Sequence, residues 1–173
     1  MSTFRAVFVC TGNRFRSPLA AAVFRNQAER LGADVEVESY GLLELDGTGA
    51  LREALELGTA FGVDLASHRS RALQSGVLTS ADLVVGFERI HVATAVVDAG
   101  APRDVAFTLP EIVQLLPSGA DDARERIRAA ATRRKTFDVP EVEDPLGQPY
   151  RRQEKIAART AELAATLARR LFG

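Results

Sequence analysis

Cysteine occurs once in this chain, and it opens the segment Cys10-Thr11-Gly12-Asn13-Arg14-Phe15-Arg16-Ser17-Pro18. An arginine follows it by six residues and a serine stands next to that arginine. A free thiol titrates near 8.5 and is mostly protonated at neutral pH. A helix N-terminus and a nearby cation bring it to about 3.5–7.5, where it is a nucleophile. Arg16 offers a planar fork that grips two phosphate oxygens at once, which a lysine does not. Ser17 can donate a hydrogen bond to the sulfur, and Gly12 lets the backbone curl closely around an anion. The chemistry this pattern predicts is phosphate binding combined with nucleophilic attack. No Gly-Lys-Ser/Thr closes the segment, so it is not a Walker-type nucleotide loop. A buried structural cysteine is the plainer alternative; the agreement of Cys10, Gly12, Arg16, Ser17 and Pro18 weighs against it.

Those residues need a scaffold. Phe4 to Val9 reads as a short buried strand ending at Cys10, and Ser17 to about Leu31 as a helix with Pro18 in its first turn. Strand, tight loop and helix aim the loop's N–H groups and the helix's positive end at one point, a geometry that binds an oxyanion. Further along, Asp34 to Tyr40 alternates as a second strand, followed by a loop over 41–49 and a helix over Ala50 to Phe61 that Gly62 stops. Asp82 to Phe87 and Val105 to Leu109 read as strands three and four, with a helix from about Arg89 to Ala99 between them. A short helix starts at Pro110, a charged one covers Asp121 to Arg134, and a long one runs from Tyr150 to Phe172. In that last helix Ile156, Thr160, Leu163, Leu167 and Leu171 form one stripe. Alternating strands and helices predict an α/β fold, a single domain over 1–173 with a parallel sheet wrapped on both faces. Ligands of such sheets sit beyond the carboxyl ends of the strands, where Cys10 falls.

Composition narrows the class. The net charge of −1 gives no global attraction to nucleic acid or an anionic membrane. Met1-Ser2-Thr3 leads straight into a strand without a signal segment, and no stretch approaches the roughly 20 apolar residues of a membrane span. A lone cysteine excludes an intrachain disulfide and suits a reducing cytoplasm. Together with only His68 and His91 it shows no metal-ligand spacing. Lys135 and Lys155 are the only lysines against an excess of arginine, a bias associated with GC-rich bacterial genomes.

The Cys10–Ser17 segment resembles the phosphate loop of the low-molecular-weight protein tyrosine phosphatases: Cys, five residues, Arg, Ser/Thr. The resemblance covers most of the chain. That family uses an Asp-Pro pair near the C-terminus, and Asp144-Pro145 lies just before the last helix. It also uses a loop asparagine held by a serine after the second strand and by a histidine; Asn13, Ser39 and His68 stand at the matching places. Without the resemblance, Asp144-Pro145 reads as the start of a turn or, with Glu141 and Glu143, as a solvated acidic edge. His68 by itself reads as a surface or core histidine, and His91 as a structural one. The resemblance implies a three-layer sandwich around a four-stranded parallel sheet, with no metal or organic cofactor. It implies catalysis by Cys10, Arg16, Ser17 and Asp144, with Thr11, Gly12, Asn13, Arg14 and Phe15 completing the phosphate loop. Ser39 and His68 support Asn13 from behind.

Three departures from the family pattern stand out. Phe15 occupies the place where a second, protective loop cysteine is common, so peroxide is expected to carry Cys10 up the oxidation ladder. Arg14 replaces a usually aliphatic residue and adds a cation that either favours acidic substrates or points at solvent. Leu146-Gly147-Gln148-Pro149 follows Asp144-Pro145 where tyrosines are common, with Tyr150 displaced; Leu42, Leu43 or Leu45 is expected to supply the other wall. The expected substrate is a phosphotyrosine protein or another phosphomonoester. Two other functions share the fold or the loop: a thiol-coupled arsenate reductase relying on an external thiol, and a non-catalytic phosphate binder, against which the intact Asp144-Pro145 weighs.

Overall fold

The structure is a computed structural model that describes residues 2–119 and 121–173, so Met1 lies outside it. Strand β1 (Phe4–Cys10) is apolar at nearly every position, and its side chains divide by parity. Phe4, Ala6, Phe8 and Cys10 join one buried cluster, while Val7 and Val9 join another on the opposite face. Both faces of β1 are covered, as a parallel sheet requires.

The remaining elements are α1 (Arg16–Arg30), β2 (Val35–Gly41), α2 (Arg52–Ala60), β3 (Leu83–Gly86), α3 (Arg89–Val97), β4 (Ala106–Thr108), α4 (Leu109–Leu115), α5 (Ala123–Thr132) and α6 (Tyr150–Phe172). The sheet order is β2-β1-β3-β4, with every pair parallel. The expected four-stranded α/β architecture is therefore present, with element boundaries displaced by at most two residues. The displacement comes mostly from loop residues that continue the apolar pattern without joining the ladder or the helix. Leu51, for example, caps α2 from outside it.

The larger cluster packs α1 and α6 against the sheet. Phe24 on α1 meets Phe8 at 5.4 Å and Phe172 at 6.0 Å between ring centroids, and Phe172 meets Phe4 at 5.3 Å. On α6, Ile156, Thr160, Leu167 and Leu171 are buried as the stripe predicts, with Leu163 at its margin. Ala157, Ala161, Ala164 and Ala168 lie beside them and let α1 approach closely. No helix among the described residues is long and apolar enough to cross a membrane.

Two features of the sheet bear on the site. β1 is an inner strand, and its last residue, Cys10, pairs in register with Gly41 at the end of β2. A Cβ on Gly41 would stand 2.9 Å from the Gly12 carbonyl carbon and 3.0 Å from Asn13, so glycine there is what lets the loop after β1 lie against β2. At the end of β3, a Cβ on Gly86 would meet His91 Cβ at 2.8 Å, which shows how tightly the first turn of α3 is pressed onto the sheet.

Candidate active site

The loop between β1 and α1 closes on the sulfur of Cys10. Ser17 Oγ lies 3.0 Å from it, and the Asn13 backbone N–H donates to it at 3.2 Å. Asn13 Nδ2 donates to Ser17 Oγ at 2.7 Å and to Ser39 Oγ at 2.9 Å, and Asn13 Oδ1 accepts from the Arg71 backbone N–H. The Asn13 side chain is thus fully buried and fully hydrogen-bonded. Because Ser17 Oγ already accepts from Asn13, its own proton is left for the sulfur. Two donors are therefore aimed at Cys10. The backbone N–H groups of Gly12, Arg14, Phe15 and Arg16 have no protein acceptor among the described residues, which leaves them for an oxyanion.

The loop is fastened from outside. Ser70 Oγ donates to the Gly12 carbonyl, Leu51 N–H to the Arg14 carbonyl and Leu43 N–H to the Thr11 carbonyl. His68 Nε2 lies 2.7 Å from the Asn13 carbonyl oxygen and donates to it. His68 and Ser39, the expected supports of Asn13, both contact it. His68 holds the backbone of Asn13, while the Asn13 side chain belongs to Ser17, Ser39 and Arg71. The residue that takes the left-handed backbone is Asn13, at φ 54; the missing Cβ of Gly12 faces Leu45 with ordinary contact room. Asparagine is among the few side chains that tolerate that left-handed backbone.

Arg16 is 2 % exposed although it carries a full charge. Its Nη1 is ion-paired with Glu88 and donates to the Val142 carbonyl at 2.8 Å; its Nη2 stands 3.4 Å from Asp144 Oδ2; and its guanidinium lies 5.7 Å from the Phe87 ring centroid. Asp144 is held by an Asx turn in which its Oδ1 accepts from the Leu146 N–H at 3.0 Å. The segment carrying it is tied down where Val142 N–H donates to the Phe87 carbonyl. Cys10 and Arg16 therefore line one cavity of about 100 Å³ together with Asp144, which is distant from both in sequence.

The same cavity is lined by Leu43, Leu45, Leu51 and Leu146. Of the leucines expected as a wall, Leu42 packs into the opposite core cluster instead, because neighbours in an extended segment face opposite ways. Tyr150 does not line the cavity; it starts α6, half exposed, with its hydroxyl toward Glu56. Arg14 lines the cavity, and its Nε donates to the Gly49 carbonyl at 2.8 Å, so its guanidinium is anchored at the mouth rather than loose in solvent.

His91, which the sequence reading leaves as structural, is in contact with the loop. Its ring is wholly buried, with Nδ1 accepting from the backbone N–H groups of Phe87 and Glu88 and Nε2 3.0 Å from Thr11 Oγ1. Burial, then the nearby Arg16 charge, lowers its pKa to about 3. His68 is also lowered, first by burial and then by Arg71 and Arg69, against the opposing effect of its bond to Asn13. Both titrate near 6.5 when unfolded, so on acidification the unfolded chain takes up protons that the native chain refuses. Stability is then full above pH 6.5 and falls below it, at up to about 1.4 kcal/mol per pH unit from His91. The urea midpoint is expected to drop between pH 7 and pH 5, and to drop less in a His91→Asn protein. A midpoint flat over that range contradicts the burial of a neutral His91.

The sequence matches the family of low molecular weight phosphotyrosine protein phosphatases over residues 5–116. The chain belongs to this family. It is accordingly a cysteine-dependent phosphatase, and the family match ends before Asp144, whose place beside Arg16 comes from the fold. Among curated relatives, the protein-arginine-phosphatase of Bacillus subtilis is 39% identical over 107 residues, 62% of this chain and 71% of its own. The low molecular weight protein-tyrosine-phosphatase of Streptomyces coelicolor is 38% identical over 109 residues, 60% and 65% of the two chains. A solved structure of the YwlE arginine phosphatase, a cysteine-to-serine variant with a phosphorylated active-site serine, superposes with TM-score 0.76 at 30% identity over 97% of this chain and 95% of that one.

Proposed function

We propose that this phosphatase acts through a phosphocysteine on phosphotyrosine side chains of proteins, with the chain serving as one catalytic domain in the reducing cytoplasm that a lone thiol suits. The observation that carries this reading is the convergence of the Cys10 sulfur, with two donors aimed at it, on the cavity that Arg16 and Asp144 share. Cys10 Sγ attacks phosphorus, forming an S–P bond as the P–O bond to the leaving group breaks. Asp144 gives its proton to the departing oxygen. Arg16 and the free amides of the loop hold the three remaining oxygens. Water then attacks phosphorus, Asp144 takes its proton, and the sulfur leaves as a thiolate that accepts the Ser17 hydroxyl.

The named relatives act on two classes of phosphoprotein, and the mouth of the cavity favours one of them. Aliphatic side chains from Leu43, Leu45, Leu51 and Leu146 offer apolar surface to an aromatic ring. The anchored Arg14 guanidinium opposes a second guanidinium, as a phosphoarginine would bring. Wild-type kcat/KM is expected to be higher for a phosphotyrosine peptide than for the matched phosphoarginine peptide. Arg14→Ala is expected to narrow that ratio several-fold, the order of a partly screened like-charge contact. Wild-type preference for phosphoarginine overturns the assignment of substrate class; loss of arsenate with a thiol reductant, and no release of phosphate from either peptide, overturns the reaction itself.

A further inference from the structure

The contact between α3 and the phosphate loop has a definite direction. His91 Nδ1 faces two backbone N–H groups, those of Phe87 and Glu88, and so carries no proton. A neutral ring with Nδ1 bare has its hydrogen on Nε2, and that hydrogen goes to Thr11 Oγ1, 3.0 Å away. Thr11 Oγ1 is thereby an acceptor toward His91. Its own hydroxyl proton has no protein acceptor among the described residues, while Thr11 lines the cavity beside Cys10, Arg16 and Asp144.

We infer that His91 is a positioning residue that turns the Thr11 hydroxyl into the cavity as a donor to the phosphoryl group. The same ring fixes the turn from which Glu88 pairs with Arg16, since it accepts the Glu88 N–H while the Glu88 carboxylate reaches across to the guanidinium. One buried imidazole thus sets two of the groups that meet the phosphate. Close packing against Gly86 and full burial leave the ring no other orientation that spares the two amides an unpaired state.

The inference rests on the phosphatase reading and is tested separately from it, by a double-mutant cycle on an aryl phosphate. Thr11→Val removes the hydroxyl and keeps the shape. His91→Asn keeps an acceptor for the two amides that cap α3 but no longer reaches Thr11. Each single variant is expected to lose about tenfold in kcat/KM, and the double variant no more than either one, because both remove the same donor. Thr11→Ser, which keeps the hydroxyl, retains activity. His91→Gln, whose longer amide reaches Thr11, recovers at least threefold over His91→Asn. Wild-type kcat/KM in Thr11→Val, or a loss near one-hundredfold in the double variant, overturns the inference. Should His91→Asn fail to fold, the contrast between Thr11→Val and Thr11→Ser decides it alone. An inactive wild-type protein points instead to failure of the phosphatase reading.

Discussion

Cys10→Ser abolishes turnover of an aryl phosphate, by about 10⁴-fold or more, while inorganic phosphate still binds. The size of the loss follows from the division of labour in the site. In the proposed mechanism only the sulfur forms a bond to phosphorus, and removing the nucleophile of a covalent mechanism leaves just the contribution of binding and electrostatics. A serine hydroxyl in the same position meets the Asn13 N–H and the Ser17 hydroxyl, which are placed to carry negative charge and not to remove a proton. No base stands among its hydrogen-bond partners. The oxyanion cradle is untouched, because Arg16 and the free amides of Gly12, Arg14, Phe15 and Arg16 do not depend on the sulfur. Steady-state kinetics beside phosphate binding by calorimetry check both halves. Turnover within tenfold of wild type contradicts the nucleophile, and lost phosphate binding contradicts the cradle.

The second large effect belongs to Asp144. Asp144→Asn keeps an acceptor for the Leu146 N–H, so the turn survives while the transferable proton is lost. General acid catalysis contributes roughly 10²–10⁴-fold, and that contribution is needed most where the leaving oxygen is most basic. A phenyl phosphate is therefore expected to slow by about 10²-fold or more, and an activated nitrophenyl phosphate by much less. A plot of rate against leaving-group basicity steepens in the variant. Equal slowing across the series excludes Asp144 as the acid and leaves its pairing with Arg16 as a purely electrostatic contact.

The phosphate loop was legible in the sequence because its chemistry lies within eight consecutive residues, Cys10 to Ser17, bounded by a strand and a helix with strong patterns of their own. Asp144 was legible only through family resemblance: its turn is commonplace, and the family match stops at residue 116. What brings it to Arg16 is the Val142–Phe87 bond, a contact between positions 55 residues apart. His91 and Glu88 were missed for the same physical reason. Their signal is local, a capping box at the start of α3, and nothing in it says that the box opens onto the loop after β1. A clue was available, since the box follows the carboxyl end of β3, the ligand edge of a parallel sheet. Glycine is the usual choice for a tight turn. Here Gly41, across the ladder, supplies the room, and Asn13 takes the left-handed backbone so that its amide can hold Ser17 and Ser39.

The most direct test of the whole account is acid quenching during the first turnovers of an aryl phosphate, followed by mass spectrometry of the peptide holding the loop. Attack by sulfur predicts close to one acid-trapped phosphate per active chain in the burst, carried by Cys10. Product release without any phosphorylated Cys10, or phosphate found on another residue, contradicts it.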